Sequence, residues 1–151
     1  MTPNTDEKTF IIWDKKFEIG IPVIDEQHRQ LVLLTNDFYK ELMNYKKMEL
    51  PKWEPQLIQA LKKCTDYVLV HFNAEEKLMQ YCNYEHFLEH KKAHNEFTEK
   101  VLETAKNFDN ANFTTALNFV KFLYQWILEH IGYEDKKYVP ALKEYLESTK
   151  K

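Results

Sequence analysis

Apolar residues recur along this chain every three or four positions, the spacing that gathers side chains on one face of an α-helix. One stripe runs through Leu31, Leu34, Phe38 and Leu42, a second through Leu57, Leu61, Cys64 and Val68. A third takes in Phe87, Phe97, Val101 and Ala105, and a fourth Leu117, Val120, Leu123 and Ile127. These stripes predict helices over about 25–45, 55–80, 85–105 and 113–131. Pro51 and Pro55 flank Trp53 at the second start, where a first-turn N–H has no intrahelical partner to lose. Asp25 is placed to cap or open the first helix, and a break near Cys82 and Asn83 ends the second. Residues before about 22 read as an irregular arm closing with Gly20-Ile21-Pro22, and Lys136 to Glu147 as a short helical segment interrupted near Pro140. Four amphipathic helices joined by short loops predict an all-α, up-down-up-down four-helix bundle. The expected organisation is one domain over 1–151, with the arm over about 1–22, the bundle over about 23–132 and a C-terminal segment over about 133–151.

Composition supports this and narrows the class. Only 2 of 151 residues are glycine, and Lys, Glu and Leu are plentiful, as helices prefer. The net charge is -3, with lysines alternating among acids, so nothing points to nucleic acid or an anionic membrane. Met1 to Lys8 lacks the basic start and apolar run of a signal peptide, and no apolar run is long enough to span a bilayer. A cytoplasmic protein without a membrane span is expected. Cys64 and Cys82 lack a CxxC spacing, which fits free thiols in a reducing compartment, and Cys64 reads as a small core residue. A chain of this length can fold without a metal staple, so a metal site here would be functional.

The histidines change the picture. His71 and Glu75 are four apart, as are His90 and His94, and a four-residue step stacks each pair on one helix face. In antiparallel neighbours the start of one helix lies level with the end of the next. His28 near the start of the first helix, His71 and Glu75 late in the second, His90 and His94 early in the third and His130 at the end of the fourth therefore share one end of the bundle. A single histidine on an apolar stripe is usually a hydrogen-bonded core residue. Five at one level would leave ring nitrogens unpaired at a cost of roughly 1–3 kcal/mol per group, and a shared metal centre removes that cost. An inward Glu75 needs the same explanation. Asp135 would point about 140° from His130 on an unbroken helix. Gly132 is expected to end that helix in a left-handed turn and carry Asp135 back over the bundle mouth.

Seven candidate ligands are too many for one tetrahedral zinc, whereas two metals bridged by carboxylates use them economically. Imidazole with carboxylate suits iron, and spacing alone leaves manganese, cobalt or zinc open. The Glu-x-x-His pairs of ferritin-like di-iron proteins are missing.

From Trp13 to about Tyr138 the chain resembles the hemerythrin family, in its single-domain bacterial form. The resemblance is carried by Trp13, Phe17 and Gly20-Ile21, then Ile24-Asp25-Glu26-Gln27-His28, His71-Phe72 with Glu75-Glu76 and Met79, His90-x-x-x-His94, and Trp126 with His130-Ile131 and Asp135. Tyr84 is followed by Glu85 where relatives often carry proline. The resemblance implies two non-haem iron ions, one held by His90, His94 and His130 and the other by His28 and His71. Glu75 and Asp135 would bridge them beside a solvent-derived oxo or hydroxo group. The iron with two imidazoles keeps an open position, which in the family takes dioxygen. Leu31, Phe72, Trp126 and Ile127 lie one to four residues from ligands and are expected to wall an oxygen pocket, with plain core packing the equal reading. Glu76 and Asp25 match the family pattern and are expected to orient imidazoles, while His86 reads as exposed or capping. The function so implied is reversible oxygen binding for carriage, storage or delivery to an oxygen-using enzyme, without catalysis. A di-iron oxidase or peroxidase, or a sensor of oxygen, nitric oxide or iron, is the alternative.

Overall fold

The computed structural model describes residues 11–48 and 52–149. The first ten residues of the expected arm, and Pro51, lie outside the described residues. Helix α1 (Pro22–Lys47) starts on a proline in its first turn and buries Ile24, His28, Leu31, Phe38 and Leu42 on one face. Asp25 does not cap it. The Asp25 carboxylate instead accepts from the backbone N–H groups of Ile19 and Gly20, at 2.8 and 3.1 Å, and so ties the arm down across the helix start. Gly20 makes that reversal at φ 87, a conformation glycine adopts freely.

The second helix is one continuous stroke: α2 (Glu54–Tyr67) passes through a π-helical turn (Val68–Phe72) into α3 (Asn73–Tyr81). It ends at the expected break. Asn83 takes φ 53, while Tyr84 N–H reaches Met79 O at 2.9 Å and Asn83 N–H reaches Gln80 O at 3.2 Å. This is a Schellman stop with asparagine in the left-handed position, which turns the chain without the proline. Helix α4 (Phe87–Lys106) returns, with Thr104 rather than Ala105 on its inward face near the end. Helix α5 (Phe113–Trp126) opens on a reciprocal capping box between Asn112 and Thr115 and runs into a second π-helical turn (Ile127–Ile131). A 3-10 turn (Glu134–Tyr138) leads directly into α6 (Val139–Thr149). Pro140 is the second residue of α6, so it begins that helix rather than interrupting it.

Four helical strokes pack side by side, α1 against α2 and α5, α2 and α3 against α4, and α6 folds back against α3. The described residues contain no strand, and none of their helices is long and apolar enough to cross a membrane.

Two apolar clusters fill the interior. The larger includes Leu31, Phe72, Phe97, Ile127 and Ile131. The smaller joins Ile19 of the arm to Ile24, Met79, Tyr138 and Leu142. Along α1 the change comes between Ile24 and Leu31, from the first π-helical turn into α3 between Phe72 and Met79, and in the last turns between Ile131 and Tyr138. A buried polar layer lies at that boundary.

Candidate metal centre

The polar layer consists of His28, His71, Glu75, His90, His94, His130 and Asp135, all buried. Each helical stroke contributes, and the register follows from the packing already described. His28 follows Ile24 by one turn of α1, and Glu75 precedes Met79 by one turn of α3, so the inward stripe places them at the boundary between clusters. His71 and His130 both sit in the π-helical turns. Such turns collect at functional sites because a wider i to i−5 step re-aims side chains that an α-helix would hold apart.

Asp135 arrives by a route other than the expected one. Gly132 lies at φ -73, not in the left-handed region, and its N–H reaches Ile127 O at 2.9 Å, closing the wide turn. The need for glycine is steric, since a Cβ there would stand 2.6 Å from the Leu128 carbonyl oxygen. The reversal is made by Tyr133 and the 3-10 turn, which bury Asp135.

The carboxylate oxygens divide their partners. Glu75 Oε1 lies 3.0 Å from both His90 Nε2 and His94 Nε2, whereas Glu75 Oε2 faces His71 Nε2 at 3.4 Å and His28 Nε2 at 3.6 Å. Asp135 Oδ1 faces His90 Nε2 at 2.8 Å and His130 Nε2 at 3.0 Å, and Oδ2 faces His28 Nε2 at 3.0 Å. Two donor sets result, one of Glu75, His90, His94, His130 and Asp135, the other of His28, His71, Glu75 and Asp135. Within each set every donor atom lies within 4.8 Å of the others. The sets share both carboxylates and differ by one imidazole.

The chemistry of these donors fits a cation. His94 Nε2, His130 Nε2 and both Asp135 oxygens are buried without a hydrogen bond of proper geometry, although partners stand near 3 Å. His28 Nε2 and His71 Nε2 face each other at 3.0 Å. Lone pairs converge on common points that one proton per pair satisfies poorly.

Without a cation the layer balances its charge with protons. Burial disfavours charge on His28 and His90, but Asp135 and Glu75 outweigh it and push the two imidazoles up to about 9 and about 10. Burial likewise opposes charge on His94, and Glu75 with Glu76 raises it. For His71 burial prevails and its pKa is lowered. Burial pushes Glu75 upward, yet His71 and His28 hold it well below the usual carboxylate range. Asp135, penalised by burial and by Glu75, is held far below that range by His130 and His28. Both carboxylates are therefore anions, ready for positive charge.

Two of the imidazoles, those of His94 and His71, are held from outside the layer. Glu76 Oε2 accepts from His94 Nδ1 at 2.9 Å and is itself held by Lys91 Nζ at 3.0 Å, so Glu76 has the orienting contact expected of it. Asp25 has no such contact, because the backbone of the arm claims its carboxylate. Gln27 takes that part instead: its Oε1 accepts from His71 Nδ1 at 2.7 Å. Each acceptor puts the proton on Nδ1 and leaves the Nε2 lone pair facing inward. Tyr138 donates to Glu75 Oε2 at 3.1 Å. The sequence patterns did not single out Gln27 or Tyr138, because neither contact is set by spacing on one helix. A hydroxyl-bearing aromatic three residues after Asp135 was the one available cue.

Aromatic rings back three imidazoles, with Phe72 stacked on His94 at 3.9 Å, Trp126 on His130 at 3.8 Å and Tyr67 on His71 at 4.7 Å. Leu31, Phe72 and Ile127 are buried around the layer and Trp126 is half-buried. Cys64 is buried in the apolar core, and burial pushes its thiol up to about 12. His86 is exposed beside Glu89 and makes no capping bond with its side chain.

Residues 19–142 match the family model described as Hemerythrin HHE cation binding domain. The chain is similar to a protein named Bacteriohemerythrin of Clostridium acetobutylicum, 29% identical over 85% of this chain and 98% of the relative. A Bacteriohemerythrin of Stenotrophomonas maltophilia is 26% identical over 90% of this chain and 84% of its own length. A Hemerythrin-like protein of Naegleria gruberi is 29% identical over 86% and 92%. The matched span runs from the arm residue that Asp25 holds to the last residue of the closing apolar cluster, and so takes in every donor of the polar layer. This chain belongs to the hemerythrin family of cation-binding domains.

Proposed function

We propose that the chain binds dioxygen reversibly at a non-haem di-iron centre, for carriage, storage or delivery to an oxygen-using enzyme. His90, His94 and His130 would hold one iron and His28 and His71 the other, with Glu75 and Asp135 shared between them. The observation that carries this reading is the inequality between two donor sets that share their carboxylates, three imidazoles against two. Such a pair of irons, when bound, would supply the two electrons that oxygen uptake needs, and the side with fewer imidazoles would be the one with room for a ligand.

The chain's own residues do the rest. Gln27 and Glu76 keep imidazole nitrogens aimed inward. Tyr138 holds one oxygen of Glu75, which limits the ways that carboxylate can swing. Leu31, Phe72, Trp126 and Ile127 wall the pocket and exclude water, which restrains proton delivery and so favours release of the ligand unchanged. The two apolar clusters seal the layer from both ends.

The test is spectroscopic. Protein loaded with ferrous iron under nitrogen should develop a visible charge-transfer band in air and lose it on deoxygenation, over repeated cycles. Oxidation in a single irreversible step, with no such band, contradicts the reading.

A further inference from the structure

Two buried polar atoms beside the centre are used by nothing described so far: the Tyr67 hydroxyl and Trp126 Nε1 both lack a hydrogen-bond partner. Tyr67 ends α2 one turn before His71 and is 8% exposed. Its ring stacks on His71 and meets Phe72 and Phe97 edge-on, at 5.3 and 5.9 Å. Trp126 ends α5, stacks on His130 and lies 5.6 Å from Phe72 and 4.8 Å from Phe97. The phenol and the indole thus approach the same pair of phenylalanines from two different helices. The indole N–H is near enough to act on the phenol oxygen, yet the two do not form a hydrogen bond.

Three features make this more than a packing defect. Tyr67 stacks on His71 and Trp126 on His130, so each stands against a candidate ligand rather than at the rim of the bundle. Tyr67, His71 and Leu31 also line a cleft of about 480 Å³ between α1 and α2, with Gln27, Lys63 and Asp66 among its polar residues. His71 belongs to the smaller donor set, so the cleft touches a histidine of that set. Finally, an indole N–H can only donate, and a phenol donates as well as accepts, so an acceptor between them would satisfy both.

We propose that Tyr67, with Trp126 Nε1 opposite, donates a hydrogen bond to the ligand at the two-histidine position and so selects small anionic ligands over ones that accept no hydrogen bond. This assignment rests on the di-iron reading. It makes the pocket apolar in its walls but polar at one point, and it gives Tyr67 a role in specificity.

Azide is a suitable probe, being small, anionic and a hydrogen-bond acceptor. Diferric protein is titrated with azide by visible absorbance, comparing the parent with Tyr67→Phe and Trp126→Phe, and the metal-free forms are melted in parallel. Loss of the phenol should weaken azide binding on the order of tenfold, as expected for one hydrogen bond to an anion, and Trp126→Phe should also weaken it. Metal-free Tyr67→Phe should melt no lower than the parent, because it removes an unpaired buried hydroxyl. Unchanged azide affinity in Tyr67→Phe, or a lower melting temperature of its metal-free form, overturns the assignment while leaving the di-iron reading intact. Unchanged affinity in Trp126→Phe removes the indole from it. A parent protein that takes up no iron overturns both.

Discussion

Glu75 and Asp135 each meet both groups of imidazoles, so neither can be replaced without touching both donor sets. Glu75→Gln keeps the size and removes the charge; it should lower iron from two per chain towards none, read by metal analysis after ferrous loading. Gln27→Ala acts at one remove, freeing His71 Nδ1, and should weaken occupancy of the two-imidazole site about 10–100-fold in a metal titration. Protonation gives a third expectation. In the metal-free protein His28, His90 and His94 are raised above their ordinary value near 6.5, so their stabilising contribution is complete below that pH and is lost as pH rises towards about 9 and about 10. His71 is lowered and works the other way, opposing the fold below its ordinary value. Glu75 and Asp135 are depressed, so their contribution is present above about 4 and disappears as pH falls below it. With three imidazoles against one, metal-free protein should be most resistant to urea between about pH 4.5 and 6.5 and less so towards pH 9. A stability that climbs steadily from pH 6 to 9 contradicts this. At this scale the ligand candidates were legible because residue type and four-residue spacing carry them. Gln27 and Tyr67 were not, since their roles depend on a neighbour brought by another helix.

At the scale of elements, the helices could be read from apolar periodicity and from proline at their starts, but the π-helical turns could not. A shift from i−4 to i−5 bonding has no residue-type signature, so Val68–Phe72 and Ile127–Ile131 look α-helical in sequence, and Tyr67 rather than the expected Val68 is buried at the first of them. Gly132 misled for a related reason. A glycine at a helix end usually marks a left-handed residue, whereas here the wide turn presses the Leu128 carbonyl against the place of a Cβ. Gly132→Ala should therefore cost about 1–3 kcal/mol in unfolding, as overpacking does, and reduce iron uptake by displacing Asp135. The left-handed residue is Asn83 instead. Asn83→Val should destabilise by about 1–2 kcal/mol, while Asn83→Gly should be neutral or slightly stabilising in thermal melts.

For the whole molecule, the antiparallel order of the helices was enough to place five histidines at one end of the bundle. What covers that end was not apparent, because Ile19, Tyr138 and Leu142 belong to segments without a strong stripe. Their cluster turns an open bundle mouth into an enclosed polar layer. Leu142→Ala should cost about 2–5 kcal/mol and, by loosening that cover, speed the loss of the oxygenated form to irreversible oxidation. The central claim is that one layer of seven side chains holds two metals through shared carboxylates. Iron analysis of protein loaded with ferrous iron under nitrogen and freed of excess tests it most directly. The account predicts two irons per chain, lost together in Asp135→Asn. A single iron, or a second one retained in that variant, contradicts it.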